Sequence, residues 1–257
     1  MCLIAWNWQP DSPMPLLLLA NRDEFYARPA RALQWWEDAP VLAGRDLQAG
    51  GTWLGVSRTG RLAALTNFRQ PAAPQDGAPS RGALASQFLT SDQDCRHYLQ
   101  RLQESAHRYN PFNLLVFDGK SLMGLESRNA RIVALQPGVG AVSNADFLTP
   151  WPKLSLLQSR LQAQLGCNNT GSSQLMALLQ DRTIAPDSAL PRTGVPQALE
   201  RVLSAAFIAT PHYGTRASSV VLMGQTLVDF TEHSFDAQGP LLQVQHSFVR
   251  KAMPEWR

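Results

Sequence analysis

The order of strand-like and helix-like segments constrains this chain more than any other feature. Apolar runs of strand length come in pairs joined by turn residues, whereas helical patterns come in blocks, an order that argues against an alternating β–α, doubly wound sheet. Residues 2–8 form an apolar, aromatic run ending at Gln9-Pro10-Asp11-Ser12-Pro13, and residues 16–20 follow at hairpin distance. Residues 52–57 and 61–68 flank Arg58-Thr59-Gly60, and residues 112–117 and 121–126 flank Asp118-Gly119, both hairpin signatures. Further strands are expected at 132–135, 141–144, 217–223, 226–230 and 241–249. Residues 83–109 carry helical periodicity through Leu84, Phe88, Tyr98, Leu99 and Leu102, which predicts two helices broken near Ser91-Asp92. Helices are also expected at 151–165, capped by Gly166, and at 172–180 and 197–208. The sum is an α+β chain of two mainly antiparallel sheets covered by helices. It reads as one domain over residues 1–257, with the Pro/Ala/Gly-rich stretch 70–80 as a flap.

With 44% hydrophobic and 17% charged residues, the chain can bury a core and is not disordered. No apolar run approaches the roughly 18 residues that span a bilayer. The N-terminus carries no secretory pattern, which points to the cytoplasm. Three widely spaced cysteines (Cys2, Cys95, Cys167) argue against a disulfide framework. The net charge is only +3, and its 20 Arg and 3 Lys are dispersed, so nucleic-acid binding is not supported. Coding bias explains the excess of arginine over lysine more economically than a shared anion-binding role.

Several familiar chemistries are missing. There is no Walker glycine loop, no His-Glu-x-x-His and no Gly-x-Ser-x-Gly elbow. The Gly50-Gly51-Thr52-Trp53-Leu54-Gly55 run precedes a strand, so it reads as a tight turn or close backbone approach rather than a dinucleotide site. The five histidines share no ligand spacing. Cys2 stands apart by position. Removal of the initiator methionine would make it the N-terminus, where an α-amino group of pKa about 7.7–8.0 can accept the thiol proton. The alternative is a small hydrophobe that begins a strand.

The run Asn21-Arg22-Asp23-Glu24, with Cys2, Gly51-Thr52-Trp53-Leu54-Gly55, Thr66-Asn67-Phe68-Arg69, Ser143-Asn144 and Tyr213-Gly214-Thr215-Arg216, resembles the NRDE family, also called the transport and Golgi organisation protein 2 family. The likeness covers nearly the whole chain. That family in turn resembles the N-terminal-nucleophile (Ntn) hydrolases of the cysteine type, which include bile salt hydrolases and penicillin V acylases. The resemblance implies a four-layer αββα sandwich. It also implies Cys2 as nucleophile, Arg22 lowering its pKa, and Asp23 holding the α-amino group. Asn67 and Asn144 would donate to an oxyanion. Asn21, Glu24, Trp53 and Arg69 would belong to the binding cleft, with Arg201 or Arg216 as a late arginine. In those hydrolases two residues separate the Arg and Asp, whereas Arg22 and Asp23 are adjacent. On a strand they face opposite ways, so only one addresses Cys2 unless a bulge intervenes. If Asp23 is the match, the arginine's place falls on Ala20.

The implied activity is amidohydrolase or acyltransferase chemistry on an amide or acyl bond, with no cofactor required. Family resemblance also implies non-enzymatic binding of haem or acyl-coenzyme A in the same cleft. Trp6, Trp8, Trp35, Trp36 and Phe68 are candidates to line it, though core roles suit them better. Neither Cys-Pro nor Cys-x-x-Cys-His is present to mark a haem site.

Overall fold

A strand covered on both faces needs apolar residues at nearly every position, and residues 2–8 and 16–20 meet that demand. The structure, a computed structural model, describes residues 2–73, 75–167 and 170–251. In chain order the first strands are β1 (Cys2–Trp8), β2 (Leu16–Phe25), β3 (Ala30–Trp35), β4 (Val41–Asp46), β5 (Leu54–Ser57) and β6 (Leu62–Asn67). Helices α1 (Gly82–Thr90) and α2 (Cys95–Ser105) lead to β7 (Phe112–Phe117), β8 (Leu122–Glu126), β9 (Arg131–Ala134) and β10 (Gly138–Val142). Helices α3 (Pro152–Gly166), α4 (Ser172–Leu178) and α5 (Gln197–Val202) precede β11 (Tyr213–Met223), β12 (Leu227–Asp236) and β13 (Gly239–Val249).

These strands make two antiparallel sheets, ordered β10-β1-β2-β11-β12-β13 and β3-β4-β5-β6-β7-β8-β9. The residues of β1 alternate between two cores. Ile4, Trp6 and Trp8 join Leu16, Leu18, Leu42, Leu62 and Phe117 between the sheets. Leu3 and Ala5 join Leu154, Leu157, Leu161 and Leu175 beneath α3 and α4. Helices α1 and α2 cover the other sheet through Leu84, Phe88, Tyr98 and Leu99. The result is the four-layer αββα sandwich. Trp6, Trp8, Trp35 and Trp36 belong to these cores or pack against them.

Three expectations need correction. Strands β3 and β4 were not expected; a register shift between Arg31 and Gln34 breaks the two-residue alternation by which a strand is recognised. The helix expected at 197–208 ends at Val202. Beyond it the backbone turns to other partners, with Phe207 N–H donating to Asp181 O at 2.8 Å and Ile208 N–H to Thr215 Oγ1 at 2.9 Å. Gly166 is the last helical residue of α3 and Cys167 takes the cap position. Residues 70–80 hold no helix or strand among those described, and Pro74 lies outside the described residues.

Candidate active site

The ends of β1, β2, β3, β4, β11 and β12 surround a cavity of about 520 Å3, closed on one side by residues 78–82 at the start of α1. Cys2 lies in it and pairs directly with Arg22 across the β1–β2 ladder. Even-numbered residues of both strands point between the sheets, so sulfur and guanidinium share one face. Among the described residues Arg22 makes a single ion-pair contact, to Asp46 at 3.5 Å, while Arg28 holds the same carboxylate at 2.6 Å. Glu24 also lines the cavity, 4.0 Å from Arg28. Cys2 is fixed from its other neighbour as well, since Ser143 Oγ donates to Cys2 O at 3.2 Å.

Asn21 and Asp23 face the opposite way, into the helix layer. Asn21 was expected in the cleft; it is instead fully buried beneath the helices. Its Nδ2 donates to Leu179 O and Ala206 O, each at 2.8 Å, and its Oδ1 accepts from Ser218 Oγ at 2.7 Å. Asp23 Oδ1 accepts from Thr215 Oγ1 at 2.8 Å, and Lys153 Nζ stands 4.0 Å from Oδ2, both side chains being buried. A bulge does occur, but on β11, where Thr215 pairs with Asp23 and Ala217 with Arg22. It leaves Arg22 and Asp23 on opposite faces. The Tyr213-Gly214-Thr215-Arg216 element is thus the strap for the Asn21–Glu24 run. Tyr213 Oη donates to Asp23 O, and Arg216 Nη1 donates to the carbonyls of Phe25, Tyr26 and Arg28. Gly214 is required there, because a Cβ would stand 2.5 Å from Ile208 O.

From the other sheet, Asn67 and Trp53 line the cavity. Asn144 is buried behind Asn67 and donates to Asn67 Oδ1 at 3.1 Å and to Asn67 O at 2.9 Å. That contact takes the Asn67 oxygen and leaves its NH2 to donate. Gly51 lets α1 approach, since a Cβ there would lie 2.3 Å from the Gly82 carbonyl carbon. Like Asn21 and Asn144, two further expected site residues do not line the cavity. Arg69 is buried against Glu200, with its guanidinium 4.5 Å from the Trp151 ring. Arg201 is on the surface, ion-paired with Asp187. Arg216 is the late arginine that lines the cavity.

Burial pushes the Cys2 thiol above its ordinary 9.0; Asp23 and Glu24 add to the rise and Arg22 opposes it. Arg22 thus draws the thiol down, in the direction the resemblance implies, but desolvation outweighs one arginine. Burial also pushes Lys153 down to about 8, opposed mainly by Asp23, and raises the carboxyl of Glu232 in the cavity wall. Glu232 Oε1 accepts from Leu33 N–H at 2.8 Å, the group left over by the β3 bulge. Sequence reasoning missed Glu232, Asp46, Arg81 and Lys153. Only Lys153 carried a signal, as a lysine four and eight residues before the buried Leu157 and Leu161. Among the described residues no cluster of three or more His, Cys, Asp or Glu could hold a metal ion, and no helix is long and apolar enough to cross a membrane.

The architecture is that of the Ntn hydrolases. A mutant of the conjugated bile acid hydrolase from Clostridium perfringens superposes with a TM-score of 0.52 at 9% identity, covering 98% of this chain and 97% of that one. The chain belongs to the Transport and Golgi organisation 2 family, which it matches over residues 1–237. The Bos taurus Transport and Golgi organization protein 2 homolog is 38% identical over 264 residues, covering 93% of this chain and 95% of the relative. The Homo sapiens homolog is 32% identical over 278 residues, covering 100% and 96%.

Proposed function

We propose that the protein is a cysteine amidohydrolase or acyltransferase acting on an amide or related acyl bond. The observation that carries this reading is the placement of Cys2 at the head of β1, registered against Arg22, in a cavity that Asn67 also lines. In the proposed mature chain Cys2 follows removal of Met1, and its α-amino group takes the thiol proton while Asp23 holds the resulting ammonium. The thiolate attacks the carbonyl carbon, and the Asn67 NH2, held by Asn144, donates to the oxygen that gains charge. Collapse breaks the C–N bond, the amine leaves with the proton, and a thioester remains on Cys2. Water or an acceptor amine then attacks the thioester and returns the proton to sulfur. Arg22 favours the thiolate against the desolvation that disfavours it.

Three free cysteines suit a reducing compartment, which supports a cytoplasmic setting. An electrophilic acyl probe followed by intact-mass analysis tests the mechanism. Labelling confined to Cys2 and lost in Cys2→Ala is expected, together with loss of turnover on acyl substrates. Turnover that survives in Cys2→Ala rules the mechanism out.

Carriage of haem or acyl-coenzyme A in the same cavity is the competing reading. Cys2 is the sole Cys, His or Met among the described lining residues, so a haem iron would take its sulfur. A Soret shift lost in Cys2→Ala supports haem carriage. Absence of binding by both ligands removes the carrier reading.

A further inference from the structure

Arginine is abundant in this sequence and dispersed along it, yet the fold gathers six arginines around one cavity: Arg22, Arg28, Arg31, Arg45, Arg81 and Arg216. Four carboxyl groups line the same space, and they do not balance these charges evenly. Asp23 is turned into the helix layer toward Thr215 and Lys153. Burial favours the neutral form of Glu232. Asp46 is held chiefly by Arg28 at 2.6 Å.

The arginines differ in what occupies their donors. Arg45 is spent on Asp38 through two hydrogen bonds, at 2.9 and 2.8 Å. Arg216 donates to four backbone carbonyls, those of Phe25, Tyr26, Arg28 and Phe235. Arg31 lies exposed at the rim. Arg22 keeps one long contact to Asp46. Arg81 makes a single side-chain hydrogen bond among the described residues, to Pro111 O at 3.2 Å, and has no carboxylate within ion-pair distance. A guanidinium has five N–H donors in a planar fork, so Arg81 retains most of its capacity while half-buried in the cavity wall. It stands there because Gly51 admits the first turn of α1, with Thr52 N–H donating to Gly82 O at 3.2 Å. Burial lowers its pKa, and of the groups that oppose this the Cys2 sulfur ranks first, ahead of Glu24.

We propose that Arg81 and Arg22 form an anion subsite beside the Cys2 sulfur, so that the ligand of this cavity carries a carboxylate or phosphate group. A planar fork with open donors in a partly desolvated wall recognises either oxyanion through paired hydrogen bonds. The assignment rests on the cysteine-hydrolase reading for what happens next to the anion, and on the arginines alone for the anion itself.

Isothermal titration at constant ionic strength tests it with three probes of equal chain length: octanoate, octyl phosphate and octanamide. The alkyl chain is included because the cavity extends to the half-exposed Leu242 and its neighbour Leu241. The folded protein is expected to bind at least one of the two anions about tenfold or more tighter than the neutral amide, and the tighter anion identifies the source. Arg81→Gln, which can still donate to Pro111 O, is expected to erase that preference, and Arg81→Lys to keep part of it. Equal affinity for all three probes, binding of none, or an unchanged preference in Arg81→Gln and Arg81→Ala overturns the subsite. No bond is made or broken in this titration. A preference that persists in Cys2→Ala therefore leaves the anion subsite standing even where the nucleophile reading fails.

Discussion

Two faces of β2 make the instructive comparison. Arg22 and Glu24 point between the sheets into a cavity with solvent access, where their ion-pair contacts are long: 3.5 Å from Arg22 to Asp46 and 4.0 Å from Glu24 to Arg28. Asn21 and Asp23 are buried in the helix layer, where their hydrogen bonds to Leu179 O, Ala206 O, Ser218 and Thr215 are 2.7–2.8 Å, with Lys153 Nζ standing 4.0 Å from Asp23. One four-residue run therefore sets its odd side chains into the helix layer and turns its even ones toward the space between the sheets. A polar side chain in a dry layer must have its bonds made, whereas one on a cavity wall can leave donors open for a ligand.

Substitution at Asn21 should show the largest effect, and it should appear in stability. Asn21→Ala strands two buried carbonyls and the Ser218 hydroxyl, each worth roughly 1–3 kcal/mol when left unpaired, so a loss of roughly 4 kcal/mol is expected in denaturant titration. Arg22→Ala should cost about 1 kcal/mol or less, because Asp46 keeps Arg28. Equal losses at the two positions would break the division of the motif into two faces.

The Asp23–Lys153 pair ranks next. Asp23→Asn leaves a buried ammonium uncompensated and should cost about 3 kcal/mol, with much of that recovered when Lys153→Met is added. The pair also fixes a pH signature. Lys153 is pushed down to about 8 in the fold from an ordinary 10.5. Between those values the unfolded chain binds the extra proton, so this residue makes stability rise as pH climbs from about 8 to 10.5. Lys153→Met should flatten that rise in thermal melts. A slope that persists unchanged would mean the ammonium is not desolvated as its burial implies.

The layers were legible in the sequence because their cause is local. Hairpin turns at Gly60 and Gly119, both at positive φ, and the apolar strands β1 and β7 announce themselves by residue type. The two helices broken near Ser91 are also plain, with Asp94 accepting from His97 N–H at the start of the second. Where a residue is defined by a distant partner, the sequence is silent. Glu232 matters because a bulge on β3 frees Leu33 N–H, and Arg81 because Gly51 lets a helix come close. The Tyr213–Arg216 element was visible as a motif, but its service to Asp23 and Phe25 spans about 190 positions. Arg69 and Arg201 show the converse. Arg69 in its motif and Arg201 as a candidate late arginine looked chemical through the family resemblance, and burial against Glu200 in one case and a surface pair with Asp187 in the other removed both from the cavity.

The smallest effect sharpens the functional side of the comparison. Cys2 is desolvated, so its thiol sits above 9.0, and Arg22 on the shared face is a force drawing it back. The rate of alkylation by a neutral reagent should therefore still be climbing at pH 9, since only the thiolate reacts. Arg22→Ala removes that favourable charge and should slow labelling at pH 8 by less than about tenfold, with the profile displaced to higher pH. Lys153→Met acts from the opposite face and in the same sense, through the charge that Lys153 shares with Cys2 and Asp23. If Arg22→Ala leaves the pH profile of Cys2 labelling in place, the two side chains share a face without sharing chemistry.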